Sequence, residues 1–224
     1  MQSDAQPRGP AWKLRVLRLL LITAGLVVWF GTQALLAQRP LPATGISDRL
    51  FSLTASANAY FAAHPSAANG LLIVSSAMID LLGLFLLLDS IVGRTIRPFL
   101  GLLILFVLRQ ICQAIVALPA PEGMIWHNPG FPSLLVTYAT AGDFFFSGHT
   151  AIAVYGAVEL GRVRRWLGAL GAIVAMFLTA VVIVLRVHYT MDIFAGIVAA
   201  LWVAAIVPRL APPVDRALAR WAKS

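Results

Sequence analysis

The sequence predicts an all-α integral membrane protein with six transmembrane helices and both termini in the cytoplasm, and three observations carry that prediction. Of the 224 residues, 60% are hydrophobic and only 12% charged, a balance far outside that of water-soluble domains. Six apolar runs bounded by charges, Pro or Gly have lengths suited to a hydrocarbon core about 30 Å thick. Thirteen of the seventeen Lys and Arg fall on one side of the pattern those runs define, as the excess of bases in cytoplasmic loops requires.

The chain reads as a single membrane domain, 1–224, with a cytoplasmic tail at 1–15, a six-helix bundle at 16–208 and a second cytoplasmic tail at 209–224. The first span, 16–37, follows Arg8, Lys13, Arg15 and Arg18. A cleavable signal peptide fits it less well, because Ala34-Leu35-Leu36-Ala37 lacks the A-x-A spacing and its loss would leave an odd number of spans. In the first outer connection, residues 47–63 carry Leu50, Leu53 or Thr54, Ala57 and Phe61 at helical spacing after Ser47 and Asp48, either of which suits a cap. This predicts an amphipathic helix at the outer interface. Spans 69–92 and 95–118 are joined through Arg94 and Arg97. The connection at 119–142, with Pro119, Pro121, Pro129 and Pro132, is turn-rich rather than helical. Span 146–160 is the shortest and gains length from Phe144-Phe145-Phe146. Spans 166–186 and 188–208 complete the set, with Arg162, Arg164, Arg165, Arg209, Arg216, Arg220 and Lys223 at the cytoplasmic ends.

The same distribution removes nucleic acid as a partner, since the net charge of +8 is a topology signal beside anionic lipid. Cys112 is the one cysteine, which excludes a disulfide framework and a cysteine metal site. Only Lys13 and Lys223 are lysines, a hint of GC-rich coding, and the expected location is a bacterial inner membrane.

Charged groups within spans cost roughly 2.5–3.5 kcal/mol each on insertion scales, so each one calls for a partner or a function. His188 and Asp192, spaced i, i+4 at the start of the sixth span, lie on one helical face within reach of each other. The carboxylate then accepts one imidazole N–H and leaves the other nitrogen as base or nucleophile. Gly196 continues that face and leaves room for a neighbouring helix. Ser147-Gly148-His149-Thr150 opens the fourth span, where free N–H groups, the helix dipole, the Ser147 hydroxyl and the close approach allowed by Gly148 make an anion site beside an imidazole. Both histidines fall at outer helix ends. Spacing alone leaves other readings open: histidines that cap helices at the interface, or metal ligands. A zinc site wants three or four ligands, and only His149, His188 and Asp192, with Asp143, are at hand; it ranks below the phosphate reading. No metal and no cofactor are expected.

The segments Gly142-Asp-Phe-Phe-Phe-Ser-Gly-His-Thr150 and His188-Tyr-Thr-Met-Asp192 resemble the two catalytic motifs of the sphingomyelin synthases, a branch of the type 2 phosphatidic acid phosphatase superfamily. Arg109, followed by Leu118-Pro119 and Pro121, is similar to the arginine-to-LPxP motif that precedes those two, and Arg39-Pro-Leu-Pro42 to a short proline motif after the first helix. The phosphatase branch carries a Lys…Arg-Pro motif, whereas no Lys lies between Lys13 and Lys223, and Arg186 stands only two residues before His188. Both departures favour the synthase branch.

The resemblance implies a membrane enzyme in which His188 attacks phosphorus to give a phosphohistidine, Asp192 activates it and His149 protonates the leaving oxygen. The donor is then a phospholipid carrying phosphocholine or phosphoethanolamine, and the acceptor a lipid alcohol such as ceramide or diacylglycerol. A hydrolase using the same residues with water as acceptor, and a transporter or scaffold without activity, are the competing expectations. Arg109 and Arg186 are the candidate phosphate grips. Asp80 lies at nearly the depth of Arg109, so the two read either as a structural ion pair or as a site arginine oriented by a carboxylate. Asp143 reads as a helper in catalysis or headgroup binding, or as a turn cap. Asp89 and Glu159 read as solvated at cytoplasmic ends, His127 as interfacial, and His64 has no evident partner. Trp126, Tyr138 and Tyr189 suit an aromatic belt or, secondarily, a choline cage.

Overall fold

The computed structural model describes residues 11–38, 46, 48–136, 138 and 144–223. These form α1 (Ala11–Ala37), α2 (Arg49–Leu53), α3 (Ala55–Ala63), α4 (Pro65–Val92), α5 (Arg97–Ile115), α6 (Gly148–Val163), α7 (Arg165–Val184) and α8 (Thr190–Trp221), with no strand among the described residues. Five helices, α1, α4, α5, α7 and α8, are long and apolar enough to cross a membrane. At 16 residues, or about 24 Å, α6 is shorter and sits at the centre, packed on α4, α5, α7 and α8. A single residue, Arg164, joins it to α7, and a Cβ on Gly168 would lie 2.7 Å from the Cα of Gly161, so glycine alone permits this close hairpin.

The expected interfacial helix is two short helices broken at Thr54, whose hydroxyl folds back on the Leu50 carbonyl at 2.9 Å. Asp48 is the cap, its Oδ1 accepting from Leu50 N at 3.0 Å, while Ser47 lies outside the described residues. The inward face also differs by one position: Phe51 and Asn58 are buried, and Leu53 is exposed. Asn58 Nδ2 donates to the carbonyls of Val184 and Gly123, backbone groups that an apolar side chain would leave unpaired.

The tail expected at 209–224 is helical, because α8 runs on through Pro208, Pro212 and Pro213 to Trp221. Pro208 has no N–H for the carbonyl of Ala204, and Arg162 Nη2 donates to that carbonyl instead, at 2.7 Å. Beyond the prolines, Asp215 accepts from Thr95 Oγ1 at 2.6 Å and from Ile96 N at 2.9 Å, tying the extension to the start of α5.

Glu159, expected to be solvated, is 1% exposed. Arg97 Nε and Nη2 both donate to its Oε2, at 3.0 and 2.9 Å, and Arg162 Nε lies 3.2 Å from Oε1 without hydrogen-bond alignment. Removing a buried partner exceeds the cost of losing a surface pair, although Arg97 and Arg162 retain partial exposure that moderates the loss. Glu159→Ala is therefore expected to lower stability by about 1–3 kcal/mol, read as a fall in the detergent unfolding midpoint; an unchanged midpoint would deny this cluster a structural role.

Candidate active site

The site is built where the connection after α5 folds back into the bundle. Asp80 lies 15 residues into α4, about 22 Å along its axis, and its carboxylate accepts from Leu135 N and Leu134 N at 2.9 Å each and from Ser133 Oγ at 3.1 Å. A loop at that depth is tolerated only when its N–H groups find acceptors, and Asp80 supplies them. Among the described residues no ion pair joins Asp80 to Arg109, so the expected pair is replaced by a loop anchor. Leu135 and Val136, held by this anchor, line the central cavity. Asp80→Ala is expected to loosen that wall and lower catalytic efficiency about tenfold, the equivalent of one or two lost charge-assisted hydrogen bonds. A steady-state comparison with the wild type checks it.

Between α7 and α8 the chain turns through Arg186, in the left-handed region at φ 52°. The helix starts only at Thr190, with Tyr189 as N-cap, so His188 precedes the helix and does not share a helical face with Asp192. Their proximity has another source. Asp192 closes the cap by accepting from Tyr189 N at 2.9 Å, which brings its Oδ2 to 3.7 Å from His188 Nδ1. His188 Nδ1 itself lies 2.7 Å from the carbonyl oxygen of Phe144. A carbonyl only accepts, so Nδ1 carries the proton and Nε2 keeps its lone pair. The tautomer expected from Asp192 is thus set by a backbone carbonyl. Asp192 is 1% exposed and its Oδ1 has no hydrogen-bond partner among the described residues, leaving a buried negative charge beside the imidazole.

The segment that supplies Phe144 also starts α6. Ser147 N donates to Asp192 O at 3.0 Å, and a Cβ on Gly196 would meet Ser147 O at 2.7 Å, so the room predicted at Gly196 is used by the α6 N-terminus. Ser147 is the N-cap, but its hydroxyl accepts from Thr150 N and donates to Thr150 Oγ1. It is wholly buried, so the hydroxyl expected as an anion donor is engaged within the cap. Arg109 Nε donates to Phe146 O at 2.9 Å; a Cβ on Gly148 would come to 3.2 Å of that nitrogen.

These elements enclose a cavity of about 50 Å³, lined by His188, His149, Gly148, Arg109, Trp126 and Phe144, with Trp29 and Gln33 from α1. That is space for a few water-sized groups. The two imidazole centroids are 6.4 Å apart, and Trp126 meets His149 edge to face at 5.5 Å. Trp126 also packs on Tyr138 at 4.6 Å and forms part of the cavity wall. Burial pushes the Tyr138 hydroxyl above its ordinary pKa, so it stays neutral, hydrogen-bonded to Ser76. A family model described as AtPDCT1/2 matches residues 47–209, well over half of the chain and all of this site except α1.

The chain belongs to the AtPDCT1/2 family. The name denotes phosphatidylcholine:diacylglycerol cholinephosphotransferases. No curated protein and no solved structure matches the chain. The AtPDCT1/2 match ends at Arg209 and begins after α1, so Trp29 and Gln33 lie outside it. Neither was singled out in the sequence, yet Trp29 Nε1 donates to Gln33 Oε1 at 3.0 Å, and Arg109 Nη1 approaches the same oxygen at 3.4 Å.

Not every expected site residue reaches the cavity. Arg186 donates to Glu122 O and Phe51 O, at 2.8 and 3.3 Å, and covers the Phe51 ring at 5.3 Å; it staples α2 and the outer loop to the end of α7. Asp143 and the Arg39-Pro-Leu-Pro42 string lie outside the described residues. His127 pairs with Asn69. His64 has a partner after all, its Nδ1 lying 2.7 Å from Tyr60 O. Among the described residues no group of three His, Cys, Asp or Glu is disposed to hold a metal.

Proposed function

We propose that the protein is a lipid headgroup phosphotransferase that moves phosphocholine from a phosphatidylcholine-type donor to a diacylglycerol-like alcohol through a phosphohistidine on His188. The observation that carries the reading is the donation of His188 Nδ1 to Phe144 O, which leaves Nε2 nucleophilic on the cavity shared with His149 and Arg109. In the first half-reaction Nε2 forms a bond to phosphorus, the phosphorus–oxygen bond to the diacylglycerol breaks, and protonated His149 gives that oxygen its proton. In the second, His149 takes the proton of the acceptor hydroxyl as its oxygen bonds to phosphorus and the N–P bond breaks. Arg109 contributes a fixed positive charge where equatorial phosphoryl oxygens carry the negative charge. Asp192 stabilises the positive charge that His188 gains on attack. The aromatic faces of Trp126 and Phe144 suit a quaternary ammonium, and the AtPDCT1/2 family name supports phosphocholine as the group moved.

The reading includes kinship with the sphingomyelin synthase branch and a six-span topology. In that topology α6 is the fourth crossing, both termini are cytoplasmic and the histidines face the outer, periplasmic side of an inner membrane. The test is transfer of label from headgroup-labelled phosphatidylcholine by the purified protein, with diacylglycerol, with ceramide, or with neither. Label is expected in new phosphatidylcholine when diacylglycerol is present. Ceramide-dependent label would move the acceptor to the sphingolipid class, and acceptor-independent release of phosphocholine would replace the transferase reading with a hydrolase.

A further inference from the structure

At the end of the bundle away from the histidines, a second cavity of about 470 Å³ is lined by Arg18 of α1, Arg94 of the α4–α5 connection and Arg216, Arg220 and Lys223 of α8, against one carboxylate among the described residues, Asp215. Five cations and one carboxylate leave an excess of four positive charges. Asp215 is already engaged by Thr95, by Ile96 N and, at 3.5 Å, by Arg18 Nη2. Arg18 is 4% exposed; Nη1 donates to Gly93 O at 2.8 Å, but Nε is buried with no hydrogen-bond partner among the described residues. A buried guanidinium N–H left unpaired is costly unless an acceptor reaches it.

Topology does not account for this arrangement. The positive-inside rule is met by bases anywhere in a cytoplasmic segment and needs neither a buried arginine nor an ordered helix beyond Pro208. Here the helical extension turns Arg216, Arg220 and Lys223, at i, i+4 and i+7, toward one hollow. Convergent guanidinium and ammonium groups, one of them the buried Arg18 whose Nε–H no described group accepts, match a multiply charged oxyanion.

We propose that this cavity binds a dianionic phosphomonoester group. The site is separate from the histidine cavity and does not depend on the transferase reading. The full chain, purified in zwitterionic detergent, is titrated with phosphatidic acid, phosphatidylcholine and inorganic phosphate, and bound ligand is counted by native mass spectrometry. The double variant Arg216→Gln/Arg220→Gln alters two exposed side chains, and its unfolding midpoint verifies that it is folded. Phosphatidic acid is expected to be retained in preference to phosphatidylcholine, about 10- to 30-fold less tightly by the double variant, and undiminished by His188→Ala. Competition by inorganic phosphate identifies the phosphate group alone as the ligand, and its failure to compete identifies the lipid-borne group; either supports the site. Equal binding by wild type and double variant, loss confined to His188→Ala, or no binding of either phosphate source overturns it.

Discussion

His188→Ala is expected to abolish headgroup transfer, with a loss beyond about 10⁴-fold, because the proposed reaction runs through His188 Nε2 and the second imidazole of the cavity, His149, is used there as the acid and base. His149→Ala should cost about 10²–10⁴-fold, the range for removing a general acid–base. The two variants separate when the donor's leaving group needs no proton. With p-nitrophenyl phosphocholine labelled in the choline, His149→Ala should still release nitrophenolate in a single turnover and accumulate acid-labile label on the protein, whereas His188→Ala should do neither. Retained transfer by His188→Ala would remove the covalent intermediate altogether. A scaffold without activity predicts no difference among the three proteins.

Both histidines singled out in the sequence line one cavity, with Asp192 close to His188; elsewhere the structure departs from the sequence for physical reasons. The i, i+4 spacing of His188 and Asp192 suggested a shared helix face, but the carboxylate at N3 satisfies an orphan N–H of the first turn. The chain before the cap is therefore a turn that aims His188 at Phe144. Which carbonyl receives the imidazole proton is a property of two segments crossing in space, and residue identity does not encode it. Gln33 carries the same kind of signal as the charges within spans. A polar amide in an apolar span also carries a cost, and it lies four residues after Trp29, the group that donates to it. Asn58 carried the same signal within α3. The length of α8 was hidden because proline reads as a stop, whereas Arg162 supplies the donor that Pro208 lacks. Asp80 was matched to Arg109 by depth along two helices, a coordinate that takes no account of a loop folding in from outside.

Gly196→Ala tests whether the contact between α8 and the start of α6 sets the catalytic geometry. The added Cβ would stand 2.7 Å from Ser147 O and 3.5 Å from Ala151 N. Neither atom moves freely, since Ser147 O already accepts from Ala151 N at 3.1 Å and Ser147 N donates to Asp192 O. The helices must part, drawing Phe144 O from His188 and His149 from its partner histidine. A misplacement near 1 Å costs about 10²-fold in rate, and overpacking costs about 1–3 kcal/mol in stability. Gly31→Ala is the control, because a Cβ there meets nothing within 4 Å. Alanine is the better helix former by about 0.8–1.0 kcal/mol, so propensity alone would make both variants more stable. Opposite signs in the detergent unfolding midpoint, with transfer lost only in Gly196→Ala, would identify the helix contact as the cause. A Gly196→Ala protein that transfers headgroups at the wild-type rate would show that the α6–α8 approach does not position the histidines.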